Sequence, residues 1–196
     1  MPKLIITPIN KKKIRLQLIW MTLIAFGFFL IGIAILFSLP KSDRGSSLNT
    51  EYSTIPVQVN YPAPDINLND LSLQNVSLKD HQNNIVLVNN WATWCPPCKA
   101  EMPTLQTYYQ THADQGFVII AIESGESIDE VSDFVHQYSL TFPVWIDKTG
   151  KALEAFNNWD LPSSYVIDRT GTVRLAWAGT ISLEMLNKYV NPLLKE

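Results

Sequence analysis

The sequence predicts an α/β fold, with a central mixed β-sheet flanked by helices on both sides and preceded by one transmembrane helix. From residue 65 onward, short apolar runs alternate with longer stretches of helical periodicity, in the order β-α-β-α-β-β-α. This alternation is typical of a sheet covered by helices. Residues 16–39 carry no charged side chain. With 196 residues, 46% of them hydrophobic, the chain has room for one ordinary domain and an accessory segment.

The transmembrane helix is predicted at residues 16–39. Such a helix would be about 36 Å long, which exceeds the roughly 30 Å hydrocarbon core of a bilayer. A cleaved signal peptide is the alternative, but its apolar core usually spans about 7–15 residues. Only the weak small-x-small match at residues 32–34 resembles a cleavage site. We therefore expect an uncleaved anchor.

The cations that flank this segment predict its orientation. Five Lys/Arg precede it in residues 1–15, whereas Lys41 and Arg44 come after it, with Asp43 between them. The positive-inside rule then keeps residues 1–15 in the cytoplasm and exports the chain beyond the helix. We expect a single-pass protein of the cytoplasmic membrane whose folded domain lies on the extracytoplasmic face.

Residues 40–62 are predicted to form a flexible linker, and residues 63–196 the folded domain. The linker contains small and polar residues and Pro56 but no apolar periodicity. Seven of the 15 Lys/Arg and one of the 18 Asp/Glu fall within residues 1–44, so the rest of the chain carries eight basic and 17 acidic residues. An acidic body repels phosphate backbones, which argues against nucleic-acid binding.

The first predicted elements of the domain are a β-hairpin and a buried strand. The hairpin pairs residues 71–73 with residues 76–78 around Gln74 and Asn75, because Asn tolerates a left-handed turn. The continuous apolar run at residues 85–88 predicts a strand that is covered on both faces.

The second half of the domain continues the alternation. A helix should begin at the cysteines and run to about His112, followed by a buried strand at residues 117–122. Ser127 and Glu130 have the spacing of a capping box, which predicts a helix at residues 127–138. The remaining predicted elements are a strand at 144–146, a helical stretch at 151–156, strands at 165–167 and 173–177 joined by the turn 168–171, and an amphipathic helix at 182–194.

The two cysteines of the chain, Cys95 and Cys98, stand three residues apart. A loop that short would constrain the unfolded chain too little to stabilise the fold, so the pair indicates redox chemistry. At a helix start, unpaired N–H groups and the helix dipole would stabilise a solvent-accessible Cys95 thiolate. Cys98, one turn later and more buried, would resolve a mixed disulfide. Pro96 fits the first helical turn. Trp94 would supply apolar surface beside the cysteines.

Other uses of a Cys-x-x-Cys pair fit this sequence less well. A zinc site needs two further ligands, haem attachment needs His where Lys99 stands, and no peroxidatic-cysteine pattern precedes either thiol. A copper site could add Met102 as a soft ligand, but this ligand set is incomplete. We expect neither a metal nor a bound cofactor.

Residues 88–103 (VNNWATWCPPCKAEMP) resemble the active-site block of the TlpA/ResA family of membrane-anchored, thioredoxin-fold thiol–disulfide oxidoreductases. The resemblance extends over about residues 63–190 and includes residues 161–168. It implies a thioredoxin fold with an N-terminal β-hairpin extension, and a cis bond between Leu161 and Pro162. In that geometry the Leu161 backbone would pair with a substrate segment beside Cys95 as an added strand, so Trp94, Pro96, Leu161 and Pro162 are the expected substrate-binding residues.

Glu101 is the expected acid–base partner of Cys98. Its position three residues later puts it on nearly the same helix face, and the family carries an acid there. Thioredoxin commonly has a buried Asp where this chain has Asn89, which cannot titrate, so Glu101 is the available proton acceptor or donor. The alternative is a surface glutamate that merely favours the helix dipole. Glu123 and Glu126 could help to shape a substrate groove, but we interpret them as solvated loop residues.

The resemblance implies a protein-disulfide reductase that acts outside the cytoplasmic membrane through the Cys95–Cys98 dithiol. Apocytochrome c, kept reduced during cytochrome c maturation, is the implied substrate, and a transmembrane protein of the CcdA/DsbD type the implied electron donor. The absence of a histidine between the cysteines favours reduction or isomerisation over oxidation. The alternatives are an oxidase or isomerase of exported proteins and a non-enzymatic copper-binding thioredoxin-like domain.

Overall fold

A computed structural model describes residues 55–196, in which eight strands form one mixed sheet. The sheet order is β1-β8-β7-β4-β5-β6-β2-β3. The three strands β4, β5 and β6 run parallel, and every other neighbouring pair is antiparallel. The strands are β1 (Val57–Pro62), β2 (Asn67–Asp70), β3 (Asn75–Ser77), β4 (Ile85–Trp91), β5 (Phe117–Ser124), β6 (Val144–Asp147), β7 (Ser163–Ile167) and β8 (Thr172–Ala178).

Helices cover both faces of the sheet, as predicted. They are α1 (Pro96–His112), α2 (Ile128–Tyr138), α3 (Lys151–Ala155), α4 (Leu183–Tyr189) and α5 (Asn191–Leu194), with short 3-10 helices at Leu78–His81 and Ala113–Gln115. Across residues 55–196, no helix combines the length and the apolar character that crossing a membrane requires. The predicted anchor at residues 16–39 lies outside the described residues.

Strand β4 separates the two hydrophobic layers, because its successive side chains point to opposite faces. Ile85 and Leu87 pack into the layer that holds α1, α2 and α4. Val86 and Val88 pack into the opposite layer, together with Phe156 at the end of α3. The active-site loop, which we define as residues 92–95, comes directly after β4 and leads into α1 at the carboxyl end of the parallel strands.

Two local sequence signals are confirmed. Ser127 caps α2, and Ser127 and Glu130 exchange the two hydrogen bonds of a capping box. The turn at residues 168–171 joins β7 to β8, and the Asp168 backbone N–H donates to Thr172 at 2.8 Å. Short-range patterns thus locate these boundaries to within one or two residues.

The predicted linker at residues 40–62 is wrong in its last six residues, which form β1. This strand pairs antiparallel with β8, with Val57 opposite Ala176 and Tyr61 opposite Val173. Most of its side chains remain exposed on both faces, so the sequence offers little hydrophobic contrast from which to recognise a strand. The folded domain therefore begins before residue 63.

The predicted hairpin forms, but its strands lie earlier in the chain than expected. The left-handed residue of the turn is Leu73, with φ of 62°, and Asn75 is already in β3. The Asp70 carboxylate organises this turn, because it accepts the backbone N–H groups of Ser72 at 2.8 Å and Gln74 at 2.9 Å.

The closing helix predicted at residues 182–194 is divided into α4 and α5. Ser182 caps α4 as expected, and α4 ends at Tyr189. Pro192 lies in the first turn of α5, where it has no N–H to continue the hydrogen-bond ladder of α4. Pro192 therefore accounts for the break between α4 and α5, which the spacing of the apolar residues alone did not predict.

Candidate active site

Cys95 is the N-cap residue of α1. Its backbone is extended, and its Sγ accepts the backbone N–H of Cys98 at 3.3 Å. Its carbonyl accepts the N–H of Lys99 at 3.1 Å, and its own N–H donates to Ala92 at 3.2 Å. The prediction that Cys95 lies at the N-terminus of a helix is confirmed.

Cys95 and Cys98 are joined as a disulfide, with their Cα atoms 5.3 Å apart. Cys98 is fully buried and Cys95 is 3% exposed. Cys98 is the more buried of the two cysteines, as predicted. Cys95, however, is less exposed to solvent than we expected of an attacking thiol. Its sulfur is bonded to that of a buried residue, which keeps it close to the core in this oxidised state.

The start of α1 supplies few backbone donors to the sulfur. Pro96 and Pro97 occupy the first two helical positions and have no N–H groups. The N–H of Cys98 is therefore the first helical donor available to Cys95 Sγ. A thiolate there would gain this hydrogen bond and the favourable end of the helix dipole. Trp94, 64% exposed, and the two exposed prolines flank Cys95 in the chain and present apolar surface to the solvent.

The bond between Leu161 and Pro162 is cis, as predicted. Strand β7 begins at the next residue, and Ser163 lies opposite Asn90 near the end of β4. The cis peptide therefore lies at the same end of the sheet as the active-site loop, which follows β4. Leu161 packs against the hydrophobic layer that contains both cysteines. The substrate-binding roles of Trp94, Pro96, Leu161 and Pro162 stay predictions.

Glu101 is a buried residue, 1% exposed, and not a surface glutamate. The Asn89 side chain donates from Nδ2 to Glu101 Oε1 at 2.8 Å and to Ser164 Oγ at 3.0 Å. Burial raises the pKa of Glu101 to about 8, although hydrogen bonds from Asn89 and from the backbone of Ile181 act in the opposite direction. A carboxyl group with this pKa can both hold and release a proton near neutral pH.

The interpretation of Glu123 and Glu126 as solvated loop residues is wrong for Glu123, which lies in β5, and is right for Glu126 only in that this residue lies in a loop. Glu123 is fully buried and Glu126 is partly buried. Glu126 Oε2 accepts the backbone N–H of Thr93 at 2.9 Å, and the Glu126 N–H donates to Glu123 Oε2 at 3.3 Å. Burial, followed by contributions that include the Glu126 and Glu130 charges, raises the pKa of Glu123 to about 8. The apolar run that leads into Glu123 was the available signal, because it continues the strand to Ser124.

We expect that replacing Asn89 with leucine raises the pKa of Glu101 further, by about one to two units. The substitution removes the Nδ2 hydrogen bond that favours the charged form, and such a bond contributes about 1.5–3 kcal/mol. Carbon-13 NMR titration of the Glu101 carboxyl measures the pKa. Asn90→Leu is the matched control, since Asn90 donates to Ser163 at 3.3 Å and not to Glu101. An equal shift in both variants would contradict the expectation.

Comparisons with known proteins agree with this geometry. A family model described as the AhpC/TSA family matches residues 59–176. The thiol-disulfide oxidoreductase ResA of Geobacillus kaustophilus is 34% identical over 151 residues, which cover 76% of this chain and 87% of the relative. ResA of Bacillus anthracis is 36% identical over 70% of this chain and 79% of that protein.

A solved structure is similar as well. The thiol:disulfide interchange protein of Chlorobium tepidum, a thioredoxin family protein, superposes with a TM-score of 0.63 at 27% identity. The match covers 70% of this chain and 99% of that one. With a Cys-x-x-Cys pair at the start of a helix in the same fold, the chain belongs to the TlpA/ResA-like thiol–disulfide oxidoreductases of the thioredoxin superfamily and is a redox enzyme.

Proposed function

We propose that this enzyme works as a reductant of protein disulfides. The observation that carries the proposal is the start of α1, where Pro96 and Pro97 leave the N–H of Cys98 as the first helical donor to Cys95 Sγ. Strongly oxidising Cys-x-x-Cys proteins owe their high reduction potential to a heavily stabilised thiolate in the reduced form. A thiolate with one helical N–H donor and no histidine between the cysteines is stabilised less, which favours electron donation.

In the proposed cycle, the Cys95 thiolate attacks a substrate disulfide, forms a bond to one substrate sulfur and releases the other as a thiolate. Cys98 then gives its proton to Glu101 and attacks Cys95 Sγ, which releases the second substrate sulfur as a thiolate and leaves the Cys95–Cys98 disulfide. Two electrons thus pass from the enzyme to the substrate. The described structure corresponds to the oxidised end of this cycle.

The setting of the reaction is also part of the proposal. We place the domain on the extracytoplasmic face of the cytoplasmic membrane, tethered through residues 16–39 with the N-terminus inside. Apocytochrome c is the proposed substrate, because its reduced thiols are required for haem attachment. A transmembrane protein of the CcdA/DsbD type would reduce the Cys95–Cys98 disulfide again. The flanking charges and the similarity to ResA support these assignments.

Equilibration of the full-length protein with glutathione or dithiothreitol buffers tests the direction of the reaction. We expect a reduction potential of about −200 mV or lower, in the range of reducing members of the superfamily. A value near −120 mV, typical of a strong oxidant, would overturn the proposal. Insulin reduction, measured as turbidity, gives an independent readout of reductase activity.

A further inference from the structure

Two carboxyl groups lie directly behind the active-site loop, and the proposed cycle does not use them. Glu123 ends the buried part of β5, where its register neighbour in β4 is Trp91. Glu126 lies in the loop before α2 and reaches Thr93, two residues before Cys95. We call Glu123 and Glu126 the acid pair.

We propose that the acid pair acts as a clamp that holds the active-site loop in position for disulfide exchange. Glu126 is the residue in contact, because its Oε2 accepts the Thr93 backbone N–H at 2.9 Å. Glu123 stands behind it, and its Oε2 accepts the Glu126 backbone N–H at 3.3 Å. Both are positioning residues that act through the loop and not on the reacting sulfurs.

The loop needs such a support because exchange requires the attacking sulfur to approach a disulfide in line, and small displacements reduce the rate strongly. The Cys95 N–H bonds back to Ala92 within the same loop, which fixes the turn but not its position on the sheet. The Thr93–Glu126 bond joins the loop to the chain just after β5. A carboxylate acceptor makes this bond stronger than a neutral one.

We expect the acid pair to keep this geometry only while Glu123 is protonated. Glu123 Oε2 accepts the Glu126 backbone N–H at 3.3 Å, and burial raises the pKa of Glu123 to about 8 and so favours its protonated form. A negative charge on Glu123 would be repelled by the charge of the neighbouring Glu126. The groups that face Glu123 are Glu126 from its own loop, Glu130 from α2, the uncharged Trp91 of β4 and Ile146 of β6. Loss of the proton would therefore drive Glu126 away from Thr93.

Nuclear magnetic resonance of the Thr93 amide in the oxidised, full-length, nitrogen-15-labelled chain tests the clamp. In the wild type we expect this amide to titrate with a midpoint near pH 8, where Glu123 ionises. The titration should vanish in Glu123→Gln, which keeps a side-chain oxygen to accept the Glu126 backbone N–H but cannot ionise. It should persist in Glu101→Gln, which separates Glu123 from the other buried acid of similar pKa. Persistence in Glu123→Gln, or loss in Glu101→Gln, would overturn the proposal.

Two substitutions of Glu126 separate the hydrogen bond from the charge. Glu126→Ala removes both, and we expect Thr93 amide exchange to accelerate about tenfold and insulin reduction to slow about fivefold. Glu126→Gln keeps an oxygen acceptor and should restore most of the protection and rate. Glu130→Gln, which removes an exposed charge from the neighbouring capping box, should change neither. Equal effects of the alanine and glutamine substitutions would refute the clamp.

Discussion

Replacement of Cys95 with serine is expected to abolish disulfide reduction, with a loss on the order of 10³-fold or more. Cys95 is the cysteine at the N-cap of α1, where the backbone N–H of Cys98 and the helix dipole can stabilise its thiolate. Serine keeps the size and the capping ability of this side chain but supplies no thiolate. Insulin reduction and iodoacetamide labelling of the reduced full-length protein measure the effect.

Cys98→Ala is the matched variant, and its expected outcome is different in kind. Cys95 can still attack a substrate, but no second thiol resolves the product, so mixed disulfides accumulate. Their isolation from cells, followed by mass spectrometry, identifies the partner and tests the proposed apocytochrome c substrate directly. Comparable capture by the Cys95→Ser protein would contradict the assignment of Cys95 as the attacking residue, since Cys98 is fully buried.

Local sequence signals predicted much of the fold and of the site. Helix α1 begins at the cysteines because Pro96 and Pro97 suit a first turn and an apolar strand precedes them. The cis bond before Pro162 was expected from the resemblance of a short block and not from any local physical rule. Residues that act within a few positions of one another, such as Ser127 and Glu130, were located correctly because their interaction is local.

The parts that the sequence did not predict depend on distant partners. Strand β1 exists because its backbone groups pair with β8, more than 100 residues later in the chain, and backbone pairing leaves little trace in the side-chain pattern. Glu123 is buried because β5 lies between β4 and β6, with Trp91 and Ile146 as its register neighbours. A charged residue after an apolar run is usually solvated, so the run that leads into Glu123 was too weak a signal on its own to predict the acid pair.

Replacement of Glu101 with glutamine is expected to slow the resolution step by about 10²-fold at pH 8. Glu101 lies one helical turn after Cys98, and both side chains are buried, so water is a poor substitute as proton acceptor. In the wild type, the rate of resolution should rise with pH and level off above about 8, as Glu101 loses its proton. Glutamine cannot titrate, so this contribution to the pH profile should disappear. Stopped-flow decay of a preformed mixed disulfide isolates the step.

The same substitution should stabilise the protein, which distinguishes a functional group from a structural one. The pKa of Glu101 is raised from 4.5 to about 8 in the folded state, so folding favours the protonated form and the free energy of unfolding falls as pH rises through this range. The maximum loss is about 5 kcal/mol, and Glu101→Gln should escape it. Urea unfolding at pH 5 and pH 8 measures the difference.

Glu154→Gln on α3, an exposed site, serves as the control. It should change neither the free energy of unfolding nor the rate of resolution. If Glu101→Gln is more stable than the wild type at pH 8 and yet slower, the buried carboxyl is retained for its proton, because packing alone would favour the amide. Unchanged resolution with increased stability would instead remove Glu101 from the chemistry and leave Cys98 to lose its proton by another route.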